Sequence, residues 1–595
     1  MLHTLTAGGV VIEPANPNIL YTGRFQFSDP SGPVFSHIGC SIKINFNGTG
    51  VSATFSSSKT SYLYVIIDGY DDVHNRKVLK VALPEQNYEL VSDLADGAHS
   101  VEIVKLTQYD SKVNFFGFEV EGEGLAEKPE RPPLALEFYG DSNAAGHSAW
   151  DPRDSGTDEV NEGYFTFPGI TARMLNAEFS NISGSGAGVT SQGWWNLVDF
   201  HQLVHMNDPA VGSNIWDFKS NYWIFSPDAV IINLSANDYY KNAGKNTIKE
   251  GWKGFITNHL RAYYPNAHVV LVDSYGWAYN EPADYLHEAV QELKNAGDAN
   301  VSYLKFPWLW SQAHAVVCEH AGFANLLASH LSFHLGLPQP EPNDLSCFAP
   351  KGEVANGSFE KWIIAGVADG WRSSGSVALV SNPSAAVDGD RYLHLESRAS
   401  AHFANDAAPG ETFHVTAWMR ATSGTQGQLK IEFKDQSQKI IQSGTVEGLH
   451  SLTDGWEIVS TAATAPEKTW QVSVVVGAPS GSAIDVDHVK MQFASSVREP
   501  ADMNPKSNRL YQNYPNPFNP RTDIQFQLFD SGPVVLEVSN VLGEKVDTII
   551  DEEMKAGHHT VHFDGSGLAS GIYFYQIRTN NFLQIKKCLL LKGER

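Results

Sequence analysis

The chain has 595 residues, room for about four domains at roughly 150 residues each. Its 42% hydrophobic and 11% aromatic content supports several buried cores and excludes disorder over most of the length. A formal charge of −25 repels phosphate backbones and anionic headgroups, so nucleic-acid and lipid-surface binding are excluded as first readings. Four cysteines are too few for a disulfide-stapled scaffold, while 50 Gly, 14 Trp, 22 Tyr and 31 Phe read as turn-rich β structure with aromatic surfaces, suited to a neutral, stackable ligand such as a sugar.

The opening MLHTLTAGGVVIEPANPN has neither a basic region nor an apolar one, so no signal peptide is expected, leaving a cytoplasmic chain or a mature form whose leader has gone. No apolar run nears the roughly 20 residues of a membrane span. Residues 1–125 alternate with period two in CSIKINFNGTGVSATF, SYLYVIIDGY, KVLKVAL and HSVEIVKLTQ, which predicts an antiparallel β-sandwich of jelly-roll type. The segment EGEGLAEKPERPP reads as a linker. From Leu134 to about 345, buried strands (LALEFYG, AVIINLSAND, HVVLVDSYG) alternate with helical patterns (IKEGWKGFITNHLRAYY, DYLHEAVQELKNA, FANLLASHLSFHLG), predicting a flavodoxin-like parallel α/β sheet. In such sheets chemistry sits at the carboxyl ends of the strands. Residues 350–495 return to short strands and predict a second β-sandwich, and residues 508–595 a compact module of about seven antiparallel strands. The cysteines lack zinc spacing; Cys318 and Cys347 either pair or stay as buried thiols.

Four polar positions fall at strand ends of the α/β unit. Ser142, in Gly140-Asp141-Ser142, follows the strand LALEFY on a tight turn that exposes a hydroxyl, or else simply caps a helix. Gly186 lies in the turn NISGSGAGVTS and Asn237 in the turn SAND; each offers an N–H to an oxyanion, or serves an ordinary loop. His320, in CEHAGFANLLASHL, is expected just before an amphipathic helix, where it can approach the serine as general base; His314 and His330 are the reserve candidates.

The order Ser, Gly, Asn, His over residues 134–337 resembles the SGNH (GDSL) hydrolase superfamily. The resemblance implies Ser142 as nucleophile, His320 as its base, and an oxyanion hole of the Ser142 N–H, the Gly186 N–H and the Asn237 amide. Two positions depart from the superfamily pattern: Ser235 stands where a glycine is usual, and Val317 stands where an aspartate three residues before the histidine is usual. A Ser–His dyad is therefore expected, oriented by a backbone carbonyl or a remote carboxylate. The jelly roll ahead of it, with YTGRFQF, FNGTGVSATF and DGAHSVEIVKLTQ, resembles carbohydrate esterase family 2. That resemblance implies removal of acetyl groups from plant polysaccharides such as xylan and glucomannan, with no cofactor for catalysis.

Residues 350–495 resemble a family 4/9/22 carbohydrate-binding module, carried by NGSFE, Gly370-Trp371, Asp388-Gly389, Val415-Thr416-Ala417-Trp418 and Val486-Asp487. The resemblance implies Trp371 and Trp418 as sugar-stacking residues, unless they are core, and Glu360, Asp388 and Asp487 as ligands of a structural calcium. The C-terminal residues, with YPNPFNP, VSNVLGEKV, LASGIYFYQI and KKCLLLK, resemble the type IX secretion sorting domain. This implies the type IX machinery as a partner, a secreted or cell-surface location and a leader already removed. Residues 134–350 hold 10 basic and 23 acidic side chains, so much of the negative charge belongs to the α/β unit. The leading expectation is a monomeric, secreted carbohydrate acetyl esterase acting on acetylated polysaccharide. Another SGNH esterase, such as a feruloyl esterase, and a non-catalytic carbohydrate-binding surface protein are the alternatives.

Overall fold

The computed structural model describes residues 9–190, 195–208, 210, 212–218, 226–273, 285–307, 314–435, 439–495, 509–511, 513, 520–528, 531–540, 545–579 and 583–590. The motif YPNPFNP lies mostly outside these. The chain divides into two units, Met1–Ser495 and Ser496–Arg595.

The first unit opens with a ten-stranded sheet whose spine is the long strand Ser41–Ser57. Its side chains alternate between a buried and a wetter face, as the period-two pattern requires. It pairs antiparallel with Val113–Leu125 on one side and Gly97–Lys105 on the other. Phe46, Phe55, Phe115 and Phe118 dominate the core beneath it. A register shift between Phe115 and Gly117 bends the partner strand; Gly117 has φ +123°, and a Cβ there would lie 2.4 Å from the Ile12 carbonyl oxygen, so only glycine fits.

The α/β body follows. Its five strands are β1 (Leu134–Gly140), β2 (Ala177–Ser183), β3 (Ala229–Asn233), β4 (His268–Asp273) and β5 (Val301–Lys305), all parallel in the order β2-β1-β3-β4-β5. β3 and β4 are largely apolar runs because both faces of the sheet are covered. Helices α1 (Phe167–Met174) and α5 (Val317–Leu335) cover one face, through Phe167, Ile170, Leu327 and Leu331. Helices α3 (Lys245–Phe255) and α4 (Tyr285–Asn295) cover the other, through Trp252, Phe255, Leu286 and Leu293, and a short helix α2 (Ala236–Tyr240) follows β3 directly. The chain winds outward in both directions from β1, so the crevice at the carboxyl ends of β2, β1 and β3 is where a ligand site is expected.

A third body within the same unit packs two five-stranded antiparallel sheets against each other. Val415, Ala417 and Met419 from one meet Leu429, Ile431, Val474 and Val476 from the other. Several ties join the bodies, among them these. Buried Arg24 of the first sheet donates to the carbonyls of His201 and Leu203 at 2.6 and 2.9 Å and lies 3.6 Å from the Glu137 carboxylate on β1. A disulfide links Cys318 on α5 to Cys347, resolving the open pairing in favour of a bond. Arg372 of the third body forms a 2.8 Å ion pair with Glu319 on α5. Among its described residues the second unit holds a three-stranded and a four-stranded sheet around Phe526, Leu536, Val538, Tyr575 and Ile577. Among the described residues no helix is long and apolar enough to cross a membrane.

Candidate active site

Ser142 follows β1 by two residues. The turn needs Gly140, where a Cβ would fall 2.3 Å from the Ala144 Cβ and 2.8 Å from the Ser183 hydroxyl oxygen. The buried Asp141 carboxylate accepts from the Asn143 N–H at 2.9 Å and from its side-chain amide at 3.1 Å, which locks the bend around the serine. Burial pushes that carboxyl up to about 6, against these two hydrogen bonds.

His314 meets the serine: its Nε2 lies 2.8 Å from the Ser142 Oγ. Its Nδ1 lies 2.9 and 3.0 Å from the two oxygens of Asp154. With a neutral ring, the Nδ1–H donates to Asp154 and Nε2 accepts the serine hydroxyl, the arrangement in which an imidazole can take a proton from a nucleophile. Burial raises the Asp154 carboxyl, but the hydrogen bond and charge of His314, with Ser148 and His147, outweigh it and hold it at about 2. Asp154 is therefore an anion at any ordinary pH. It sits in the left-handed region at φ +59°, as does Ser148 at φ +54°. The loop is stitched by its own bonds: Asp154 N–H to the Asp151 carbonyl at 2.9 Å and Gly156 N–H to the Ser148 hydroxyl at 2.9 Å.

Gly186 and Asn237 come from the neighbouring strand ends. Gly186, at φ +86°, follows β2. Asn237 lies in α2, after β3, and its amide donates to the Ala187 carbonyl at 2.8 Å, tying its helix to the Gly186 loop while leaving a second amide hydrogen. The adjacent Asp238 accepts from the Val189 and Thr190 N–H groups at 2.8 and 2.9 Å, and from the Thr190 hydroxyl at 2.6 Å. Ser235 adopts φ +101°, the conformation that favours glycine, and its hydroxyl accepts from Tyr285 at 2.6 Å. Gln108 enters from the N-terminal sheet. Its oxygen accepts from the Ser185 N–H and hydroxyl at 3.0 and 2.8 Å, and its amide meets His147 Nδ1 at 2.9 Å. The His147 ring stands edge-on to His314 at 4.5 Å, and burial followed by the charge of His314 pushes it down to about 4.

Several sequence expectations need correction. His320 is not the partner of the serine. It is 1% exposed inside α5, where its Nδ1 accepts the Phe167 N–H at 3.4 Å and its ring stacks on Phe167; burial pushes it down to about 3. The reserve residue His314 takes the place beside Ser142. The remote carboxylate is Asp154, which the sequence reading missed, because the acidic loop DPRDSGTDEV has no period or spacing that singles out one of its acids. His330 contacts Ser302 on β5 instead. Trp371 is 2% exposed and packs against Phe359 and Phe403 in the core of the third body, which removes it as a sugar platform. Trp418 is half-buried on the outer face of its strand, between inward-facing Ala417 and Met419. The acids expected to hold calcium also bond protein donors. Glu360 accepts from the Asp390 and Arg391 N–H groups at 2.7 Å each, Asp487 from those of Val387, Asp388 and His488, and Asp388 pairs with His488.

A serine, a histidine and an aspartate joined at the carboxyl edge of a parallel sheet define a site of the serine-hydrolase type. Residues 21–129 match the family model of the carbohydrate esterase 2 N-terminal domain, and residues 512–591 that of the secretion system C-terminal sorting domain. The cellulase/esterase CelE of Acetivibrio thermocellus is 32% identical over 335 residues, 54% of this chain; the chain covers 40% of that relative's length. Among solved structures, the chain is similar to a family two carbohydrate esterase from Clostridium thermocellum in complex with cellohexaose, at 29% identity and TM-score 0.48, covering 53% of this chain and 99% of that one. It is also similar to an acetyl xylan esterase from the rumen bacterium Butyrivibrio proteoclasticus, at 20% identity and TM-score 0.49, covering 56% and 99%. The N-terminal sheet thus matches a carbohydrate esterase 2 N-terminal domain, and the C-terminal unit a secretion-system sorting domain; the chain spans less than half the length of the curated relative it matches.

Proposed function

We propose that this protein is a secreted carbohydrate acetyl esterase that removes O-acetyl groups from plant polysaccharides such as xylan or glucomannan. The observation that carries the reading is His314, placed at 2.8 Å from Ser142 and 2.9 Å from Asp154. Ser142 attacks the acetyl carbonyl while His314 Nε2 takes its proton. Asp154, fully ionised, holds the ring with its Nδ1–H inward and stabilises the imidazolium that forms. The Ser142 and Gly186 N–H groups and the free amide hydrogen of Asn237 receive the oxyanion; such donors are each worth about 2.7–4 kcal/mol. His314 returns the proton to the leaving sugar oxygen, and a water activated by the same histidine then releases acetate. The matched carbohydrate esterase 2 N-terminal domain and the esterase relative support the ester of a carbohydrate as substrate; the sorting domain supports export by a type IX machinery. In the third body, Trp418 is the remaining candidate for sugar stacking.

The test is acetate release from acetylated xylan and glucomannan, with p-nitrophenyl acetate as a small-substrate control. Wild type is expected to turn over both kinds of substrate, and Ser142→Ala neither. Absence of hydrolysis by wild type, or equal rates for Ser142→Ala, refutes the reading.

A further inference from the structure

The third body reaches the α/β body through one arginine. Arg372 begins its strand Arg372–Ser374, directly after Trp371. Trp371, wedged between Phe359 and Phe403, anchors that strand to the core of its own body. The guanidinium leaves that body and reaches three groups of the α/β body. Nη1 donates to the Pro152 carbonyl at 3.1 Å; Nη2 donates to the Glu319 carboxylate at 2.8 Å and lies 3.5 Å from the His314 carbonyl. Pro152 lies two residues before Asp154, so one planar fork touches both loops that deliver the acid–base pair. Its side chain is 15% exposed and that of Glu319 3%, so the contact is largely removed from water. Glu319 in turn accepts the Val316 N–H at 2.9 Å, fixing the first turn of α5 just beyond His314. The disulfide Cys318–Cys347 holds the same turn to the segment that leads into the third body.

We propose that Arg372 is a positioning residue for the esterase reaction, and that residues 350–495 are thereby an integral brace of the active site rather than a detachable appendage. This rests on the esterase reading above. Nothing in the chemistry requires Arg372 to touch substrate. It acts by holding the backbones of residues 152 and 314 in register, so that His314 stays within hydrogen-bond reach of both partners, where displacements near 1 Å already cost rate.

The experiment compares full-length wild type, Arg372→Met, Arg372→Lys and the double variant Arg372→Met/Glu319→Gln. The double variant removes the buried carboxylate that the single variant would strand, and so separates loss of fold from loss of the brace. The readouts are kcat and KM on p-nitrophenyl acetate and the rate at which a phosphonate ester labels Ser142. Thermal melting checks that each variant is folded. The expected result is a kcat and labelling rate at least ten-fold down in folded Arg372→Met and in the double variant, KM within two-fold of wild type, and partial recovery in Arg372→Lys. A folded double variant with wild-type kcat and labelling rate overturns the brace. A wild type that releases no acetate, or a His314→Ala variant as active as wild type, overturns instead the esterase reading on which it stands.

Discussion

At the scale of single residues, the site turns on one histidine and one acid that chain order does not reveal. Asp154 stands 160 residues from His314, and His314 172 from Ser142, yet the three meet within 3.0 Å. Asp154→Asn should leave the fold and KM little changed while kcat falls by about four orders of magnitude, because an amide admits the wrong imidazole tautomer. Steady-state kinetics on p-nitrophenyl acetate check this. His314→Ala should abolish turnover, whereas His320→Ala should retain kcat and lose stability, about 1–3 kcal/mol for an orphaned buried N–H; urea melts and kinetics together distinguish the two. Ser142 was readable because the Gly-Asp-Ser turn after a buried strand is a local feature. Asp154 was not, since its selection among the acids of its loop depends on a partner far along the chain. Ser235 stands where a glycine is usual, and its φ of +101° is the conformation that glycine would have supplied.

At the scale of elements, the displaced histidine assignment has a definite cause. The amphipathic pattern in FANLLASHL is clear, but α5 begins at Val317, ahead of that pattern, because Glu319 reaches back to the Val316 N–H as a cap. Val316 is not a residue type that announces a helix start, so His320 fell inside the helix rather than in the loop before it. The same helix carries a second group of histidines. His330 and His334 on α5 surround His268 on β4, with ring centroids 4.4 Å apart for His268–His334 and 4.5 Å for His330–His334. Burial, followed by the charge of its neighbours, lowers His268 to about 3 and His330 to about 4, and His334 moves down as well. Their unfolded forms bind protons below about 6.5, where the folded forms do not. The unfolded state therefore holds more protons as pH falls from about 6.5 towards 4, and this group's contribution to stability is lost over that window. Urea midpoints at pH 7.5 and 5.0 should show a drop at the lower pH, and His330→Gln should make it smaller.

At the scale of the whole molecule, the first unit works as one piece. The N-terminal sheet sends Arg24 into β1 and Gln108 to the Gly186 loop, and the third body sends Arg372 to the histidine loop. Lys105, wholly buried, holds the Gln108 loop by donating to the carbonyls of Thr107 and Gln108 at 2.7 Å each. The disulfide Cys318–Cys347 closes a loop of 29 residues, for which the chain-entropy model gives about 3–4 kcal/mol. Reduction with dithiothreitol should lower the melting temperature of the full chain by several degrees, while the paired variant Cys318→Ser/Cys347→Ser should melt at that lower temperature and not respond to reductant. The free cysteines Cys40 and Cys588 are buried and serve as the internal control.

The sequence by itself determined the alternation of strands and helices, the parallel sheet and the serine at its carboxyl edge. It also determined the order of the Gly186 and Asn237 turns. These follow from hydrophobic period and turn chemistry, which act over a few residues. Only the tertiary structure decided which histidine faces the serine, which of several acids orients it, that Trp371 is core, and that a third body reaches into the site. Each of those depends on groups more than ten residues apart closing to hydrogen-bond or van der Waals distance. That closure is set by packing across elements and leaves no trace in local pattern.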